Sequence, residues 1–195
     1  ITYLLGGEVE HKDSWGGQAA IETGDIQWMT TGSGLIHSEL VTDKFKKSGG
    51  EMQGLQIWVN LPQKYKQVKP WYQHIKKNDI PTIDEGNDVL IKVLVGKVKN
   101  ISSAVQTYSP VSIFDVQFIK PSLIDLDISK NQTVMVYVID GELKFHDENQ
   151  IARKGQMIYF DQSSDMINLT SISSTGSYLV LAGEPLNEPV VRYGP

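Results

Sequence analysis

Two residues of this chain stand at a spacing that suits chemistry: His37 and Glu39, in the run Gly32-Ser33-Gly34-Leu35-Ile36-His37-Ser38-Glu39-Leu40. On an extended strand, residues two apart project from the same face. An imidazole and a carboxylate would then stand side by side, with Ile36, Ser38 and Leu40 facing the other way. Neutral imidazole with carboxylate is a ligand set for iron, manganese, nickel, copper or zinc, and a site with open positions can take dioxygen or a substrate oxygen. The plainer reading of the same triplet is a solvated strand face. Two donors also fall short of the three or four that a tight site uses.

The other histidines are His11, His74 and His146. His11 alternates with Val9 behind a glycine turn and reads either as an exposed hairpin residue or as a pocket residue supporting the ligands. Gln27 and Gln56 sit beside apolar strand residues and are further pocket candidates. His74 falls in a polar stretch and reads as solvated, and His146 opens an expected turn, His146-Asp147-Glu148-Asn149. Trp15, Trp28, Trp58 and Trp71 read as packing residues. Lys44-Phe45-Lys46-Lys47-Ser48-Gly49-Gly50 reads as a mobile loop that could act as a lid. Gly6-Gly7 and Gly16-Gly17 are turns rather than phosphate cradles, because no helix pattern follows them. No Ser–His–Asp arrangement presents itself.

These residues need elements to position them. The chain has 195 residues, 40% of them hydrophobic, with eight prolines and 17 glycines between short apolar runs. Strand-like patterning covers residues 1–10, 25–30, 54–61, 89–95, 112–118, 133–145, 157–160 and 178–182, which predicts an all-β sandwich or barrel. Only residues 63–77 look helical, as short surface turns broken by Pro70. The acidic, turn-rich run over residues 81–88 marks a boundary, giving one domain over 1–83 and a second over 84–195. Tyr3-Leu4-Leu5-Gly6-Gly7-Glu8-Val9 is echoed by Tyr137-Val138-Ile139-Asp140-Gly141-Glu142-Leu143. Gly24-Asp25-Ile26-Gln27-Trp28-Met29 is echoed by Gly155-Gln156-Met157-Ile158-Tyr159-Phe160, at a similar offset. Two echoes in the same order predict a duplicated β-domain. No His-x-Glu follows Gly155, so the second domain is expected to carry no metal site.

Composition removes several function classes. The formal charge is −5, from 18 basic and 23 acidic residues, with no basic stripe to neutralise phosphates; direct nucleic-acid binding is disfavoured. With no cysteine, disulfides, thiolate zinc sites, iron–sulfur clusters and a cysteine nucleophile are excluded. No apolar run is long enough for a membrane helix. A cytoplasmic location, or a nuclear one in a eukaryote, is expected.

The run from Gly24 to Glu39 resembles the central signature of pirins. Further agreement comes from Tyr3-Leu4-Leu5, from Val9-Glu10-His11-Lys12-Asp13-Ser14, and from Gly54-Leu55-Gln56-Ile57-Trp58-Val59-Asn60-Leu61-Pro62. It continues in Pro70-Trp71-Tyr72-Gln73 and in residues 183–191 with Tyr193-Gly194-Pro195. Leu40-Val41 departs from the Met-Pro usual after the Glu. The resemblance implies two cupin-type, jelly-roll-like β-barrels in tandem with one metal site, in the N-terminal barrel. It implies two ligands at His37 and Glu39, and two more from a His-x-His motif expected a few residues before Ile1. One divalent metal is expected, iron first, with manganese, nickel, copper or zinc as alternatives. Residues 1–195 alone, holding half the set, are expected to bind it weakly.

The activity this implies is quercetin 2,3-dioxygenase chemistry on a flavonol-like aromatic substrate, with Glu39 also accepting the substrate hydroxyl proton. Two alternatives stand beside it. One is an iron-dependent regulator that binds a protein partner such as a transcription factor; the other is a shortened, non-catalytic bicupin.

Overall fold

The computed structural model describes residues 1–86, 88–145, 150–160 and 166–191. His146 with its expected turn, and Tyr193-Gly194-Pro195, lie outside the described residues. The chain folds as two compact units, one of Ile1–Ile80 joined by the segment that begins at Glu188, the other of Pro81–Asn187.

The first unit contains β1 (Thr2–Gly6), β2 (Glu8–Asp13), β3 (Gln18–Glu22), β4 (Ile26–Thr30), β5 (His37–Val41), β6 (Gln53–Gln56) and β7 (Trp71–Ile75). They form two antiparallel sheets, in the orders β6-β1-β4-β7 and β3-β2-β5. The β1–β2 connection turns on Gly7, whose φ of 94° is open to glycine and strained for other residues. Tyr3, Leu4, Val9, Ile21 and Ile26 supply the small apolar core.

The second unit contains β8 (Thr82–Gly86), β9 (Val89–Val95), β10 (Lys97–Val98), β11 (Ile101–Ser102), β12 (Val111–Phe118) and β13 (Ser122–Asp127). It continues through β14 (Thr133–Asp140), β15 (Glu142–Phe145), β16 (Ile151–Arg153), β17 (Met157–Phe160), β18 (Met166–Ser171) and β19 (Gly176–Gly183). Two large sheets, β17-β14-β19-β12-β9-β8 and β13-β18-β15-β16, enclose its core, and β10-β11 forms a small ribbon. β13 shows why: Ser122, Ile124 and Leu126 are buried while Leu123, Asp125 and Asp127 are exposed, the period-two pattern of a sheet with one dry face. The interior is built from Ile91, Phe114, Val116, Val136, Leu143, Leu169 and Val180, all buried.

The sequence echo stands on shared backbone geometry. Gly141, between β14 and β15, has φ 84° where Gly7 has 94°, and Gly155 has φ 81° where Gly24 has 90°. Each member of the second pair precedes its strand, β17 or β4, by two residues.

Three sequence expectations change. Within residues 63–77, helical structure is limited to a 3-10 turn at Gln63–Tyr65 and the start of another at Lys77–Asp79, whereas residues 71–75 form β7 by pairing with β4. Proline ends the helical pattern, and the alternation after it goes to the sheet. The Lys44–Gly50 run is mostly helix α1 (Asp43–Ser48), not a loop. The Thr42 hydroxyl accepts the Phe45 N–H at its start, and Gly49 closes it at φ 69°. Of the tryptophans, Trp28 is buried, but Trp58 is 94% and Trp15 56% exposed.

Candidate metal centre

Register brings the candidate residues together. β2 lies between β3 and β5, and its pairing with β5 sets His11 opposite Glu39 and Asp13 opposite His37. Directly opposed residues of an antiparallel pair share a face, so these four side chains make a two-by-two patch. The other sheet supplies a polar row of its own. Thr2 of β1 pairs with Gln56 of β6 on one side and Gln27 of β4 on the other, and Gln27 pairs with His74 of β7.

The two meet at Glu39. The Gln27 amide donates to its Oε1 (2.9 Å), the Gln56 amide to its Oε2 (2.8 Å), and the Thr2 hydroxyl reaches both oxygens at 3.2 and 3.3 Å. Three donated hydrogens on a carboxylate with about four acceptor positions leave room for one further Lewis acid or proton.

His11 is fully buried beside this carboxylate. Its Nε2 lies 3.1 Å from Asp13 Oδ2, and its Nδ1 lies 3.0 Å from the Gln27 amide nitrogen and 3.8 Å from Glu39 Oε1. Its ring stacks with those of Tyr72 (centroids 4.7 Å apart) and His37 (5.8 Å). Hydrogen bonds from His11 and from the Gly17 and Trp15 N–H groups hold the Asp13 carboxyl below the usual range. Burial, helped by the charges of Glu39, Asp13 and Asp25, pushes the Tyr72 hydroxyl up to about 12. That hydroxyl and Gln27 Oε1 are buried with no hydrogen-bond partner.

A second polar knot supports β7. Buried Asp25 accepts from the Lys77 and Glu22 N–H groups, from Lys76 Nζ at 3.0 Å and from His74 Nε2 at 2.9 Å. Burial alone would raise the Asp25 carboxyl, but these donors outweigh it and hold it below the ordinary value.

The structure thus brings Glu39, His11, Gln27 and Gln56 into one hydrogen-bonded cluster, with the His37 ring stacked on its margin and open to solvent. Two histidine readings are corrected. His11 is not an exposed hairpin residue, because its ring packs against Gln27 and Tyr72 of the other sheet. His74 is not solvated, because β7 turns it onto Asp25. Sequence reasoning missed Thr2, Asp13 and Tyr72. Asp13 carried a usable signal, standing two residues after His11 as Glu39 stands two after His37. In donor type and remaining acceptor room, His37 and Glu39 fit a divalent metal of intermediate softness. In number they make part of a set: among the described residues, no three His, Asp or Glu side chains converge to enclose an ion.

Residues 1–59 match the Pirin family, and residues 113–195 match the Pirin C-terminal cupin domain. Pirin-1 of Arabidopsis thaliana is 35% identical over all of this chain and 67% of its own length. A crystal structure of quercetin 2,3-dioxygenase from Acinetobacter baumannii superposes with a TM-score of 0.92 at 34% identity, covering all of this chain and 67% of that one. The bacterial pirin YhhW from Escherichia coli, solved in complex with nickel(II), shares the fold at a TM-score of 0.70 and 20% identity, over 94% of this chain and 71% of its own. The described residues are nearly all β with one short α-helix, and the chain carries two cupin domains in tandem. No helix among the described residues is long and apolar enough to cross a membrane. With both halves of its fold matched in order, this chain belongs to the pirin family.

Proposed function

We propose that this chain forms the body of a metal-dependent oxygenase of the quercetin 2,3-dioxygenase type, acting on a flavonol-like aromatic substrate. The observation that carries this reading is the part-buried cluster around Glu39, whose three donors aim one carboxylate while leaving it an open acceptor position. The name of the Acinetobacter baumannii relative supports the activity, and the nickel complex of YhhW supports a metal.

Residues 1–83 would make the metal-bearing domain and 84–195 a domain without metal. His37, as neutral imidazole, and Glu39 would hold the ion, iron first among the divalent candidates, and two further histidines of a His-x-His motif would complete the set. When bound, that ion would supply Lewis acidity toward a substrate hydroxyl oxygen. Glu39 would also serve as the acceptor of the hydroxyl proton, its single open position serving ligation and proton transfer in turn. Fully buried His11, stacked on the Tyr72 and His37 rings, would brace the cluster from within rather than touch a ligand. A cytoplasmic setting, or a nuclear one in a eukaryote, belongs to the same proposal.

The test is turnover of quercetin under air by the full-length, iron-loaded protein, followed by loss of the flavonol absorption. Glu39→Gln should reduce turnover at least 100-fold, on the order of removing an aimed catalytic group. Stoichiometric iron with no turnover, and a partner affinity that changes with iron oxidation state, would replace the enzyme by the regulatory reading.

A further inference from the structure

Hydrogen-bond direction runs one way through the buried cluster. The Asp13 carboxylate accepts the Trp15 and Gly17 N–H groups at one oxygen and has no hydrogen to give at the other. The hydrogen it shares with His11 must therefore sit on Nε2, 3.1 Å away. The group 3.0 Å from the other ring nitrogen, Nδ1, is the Gln27 amide nitrogen, a donor, so Nδ1 is an acceptor there. An amide nitrogen carries two hydrogens. With one directed to His11, the second reaches Glu39 Oε1 at 2.9 Å. Turning the Gln27 amide over would set its oxygen against both the His11 lone pair and the Glu39 carboxylate. The orientation is thus fixed jointly, by Glu39 on one side and by Asp13, through His11, on the other.

Asp13 divides its two oxygens between separate tasks. Oδ1 accepts the Trp15 and Gly17 N–H groups and shapes the β2–β3 turn, while Oδ2 faces His11. We propose that Asp13 is a positioning residue which, through the Nε2–H tautomer of His11 and the Gln27 amide, holds the Glu39 carboxylate in its metal-facing orientation. This rests on the assignment of Glu39 as a ligand under the proposed function.

Asp13→Asn tests it with the turn preserved, since the amide oxygen can replace Oδ1 while the amide nitrogen takes the place of Oδ2. That nitrogen donates where the carboxylate accepted, so His11 should move its hydrogen to Nδ1 and dislodge Gln27. Nitrogen-15 spectra of the metal-free full-length protein read the His11 tautomer directly. Iron(II), added without oxygen, gives the affinity. Expected are Nε2–H in the wild type, Nδ1–H in Asp13→Asn, and an iron affinity lowered about 10–100-fold, with an unchanged unfolding midpoint excluding loss of fold. Gln27→Met should weaken iron by a similar factor, and the double variant no further, because both break one chain of bonds.

An unchanged tautomer, an unchanged affinity in an iron-binding protein, or multiplying losses in the double variant each overturn the proposal. A wild type that takes up no iron while its His11 tautomer still switches overturns the metal assignment itself. The two failures are therefore told apart by the metal-free spectrum.

Discussion

In the second unit, Phe114, Val136, Leu143 and Leu169 meet between two sheets, and the described interior holds no histidine. In the first unit, the corresponding face of β2 carries His11 and Asp13, and the sheet across from it carries Thr2, Gln27 and His74. Both units use the strand–glycine–strand turn seen at Gly7 and Gly141, so around this shared turn the difference lies in side chains. The second unit's buried polar groups are turned to structural ends. Ser171 Oγ accepts the Ser122 N–H at 2.8 Å, and Asp115 faces Lys92 at 3.6 Å and the Gln117 amide at 2.8 Å. One fold thus appears twice, once with an apolar filling and once with a polar cluster that leaves acceptor positions open.

That contrast can be broken by substitution. The largest effect is expected in the apolar unit. Leu143 is fully buried, and Leu143→Ala should cost about 2–5 kcal/mol, since the cavity adds to the lost transfer energy; denaturant unfolding would show it. A cost below about 1 kcal/mol would mean that this interior is not closely packed.

Asp25→Asn should cost about 2–3 kcal/mol, the scale of hydrogen bonds to a buried charged group. It should also change the acid limb. The folded Asp25 carboxyl lies below its ordinary value, so its stabilisation is fully present above the unfolded pKa of about 4 and is lost as pH falls through the lower, folded pKa. Wild-type stability should fall more steeply below about pH 4 than that of Asp25→Asn. Parallel curves would remove Asp25 as an electrostatic support of β7.

The smallest effect has the opposite sign. The Tyr178 hydroxyl is buried without a hydrogen-bond partner, and burial drives its ionisation far upward. Tyr178→Phe should therefore stabilise the second unit by about 1 kcal/mol, the lower end of the penalty for an unpaired buried group. A loss of stability would reveal a bond that this geometry does not contain.

Much of this contrast is legible in the residues. The His37–Glu39 spacing places both side chains on one strand face, and the glycine turns announce the duplication. What stays hidden is long-range register. Nothing local says that His11 stands opposite Glu39, or that Thr2 stands between Gln27 and Gln56, because pairing between strands depends on the whole sheet. Tyr72 and His74 are concealed for another reason. They follow Pro70 in a polar stretch, where weak alternation is easily taken for surface turns. Helix α1 is missed because its cap, Thr42, precedes the lysine run that draws attention.

Metal stoichiometry tests the central claim most directly. The full-length protein, loaded with iron(II) without oxygen, freed of excess and measured by elemental analysis, should hold one metal per chain. Glu39→Gln and His37→Ala should each reduce this at least tenfold, through loss of a ligand. Stoichiometric iron retained by both variants would contradict the assignment of the polar cluster as the metal site.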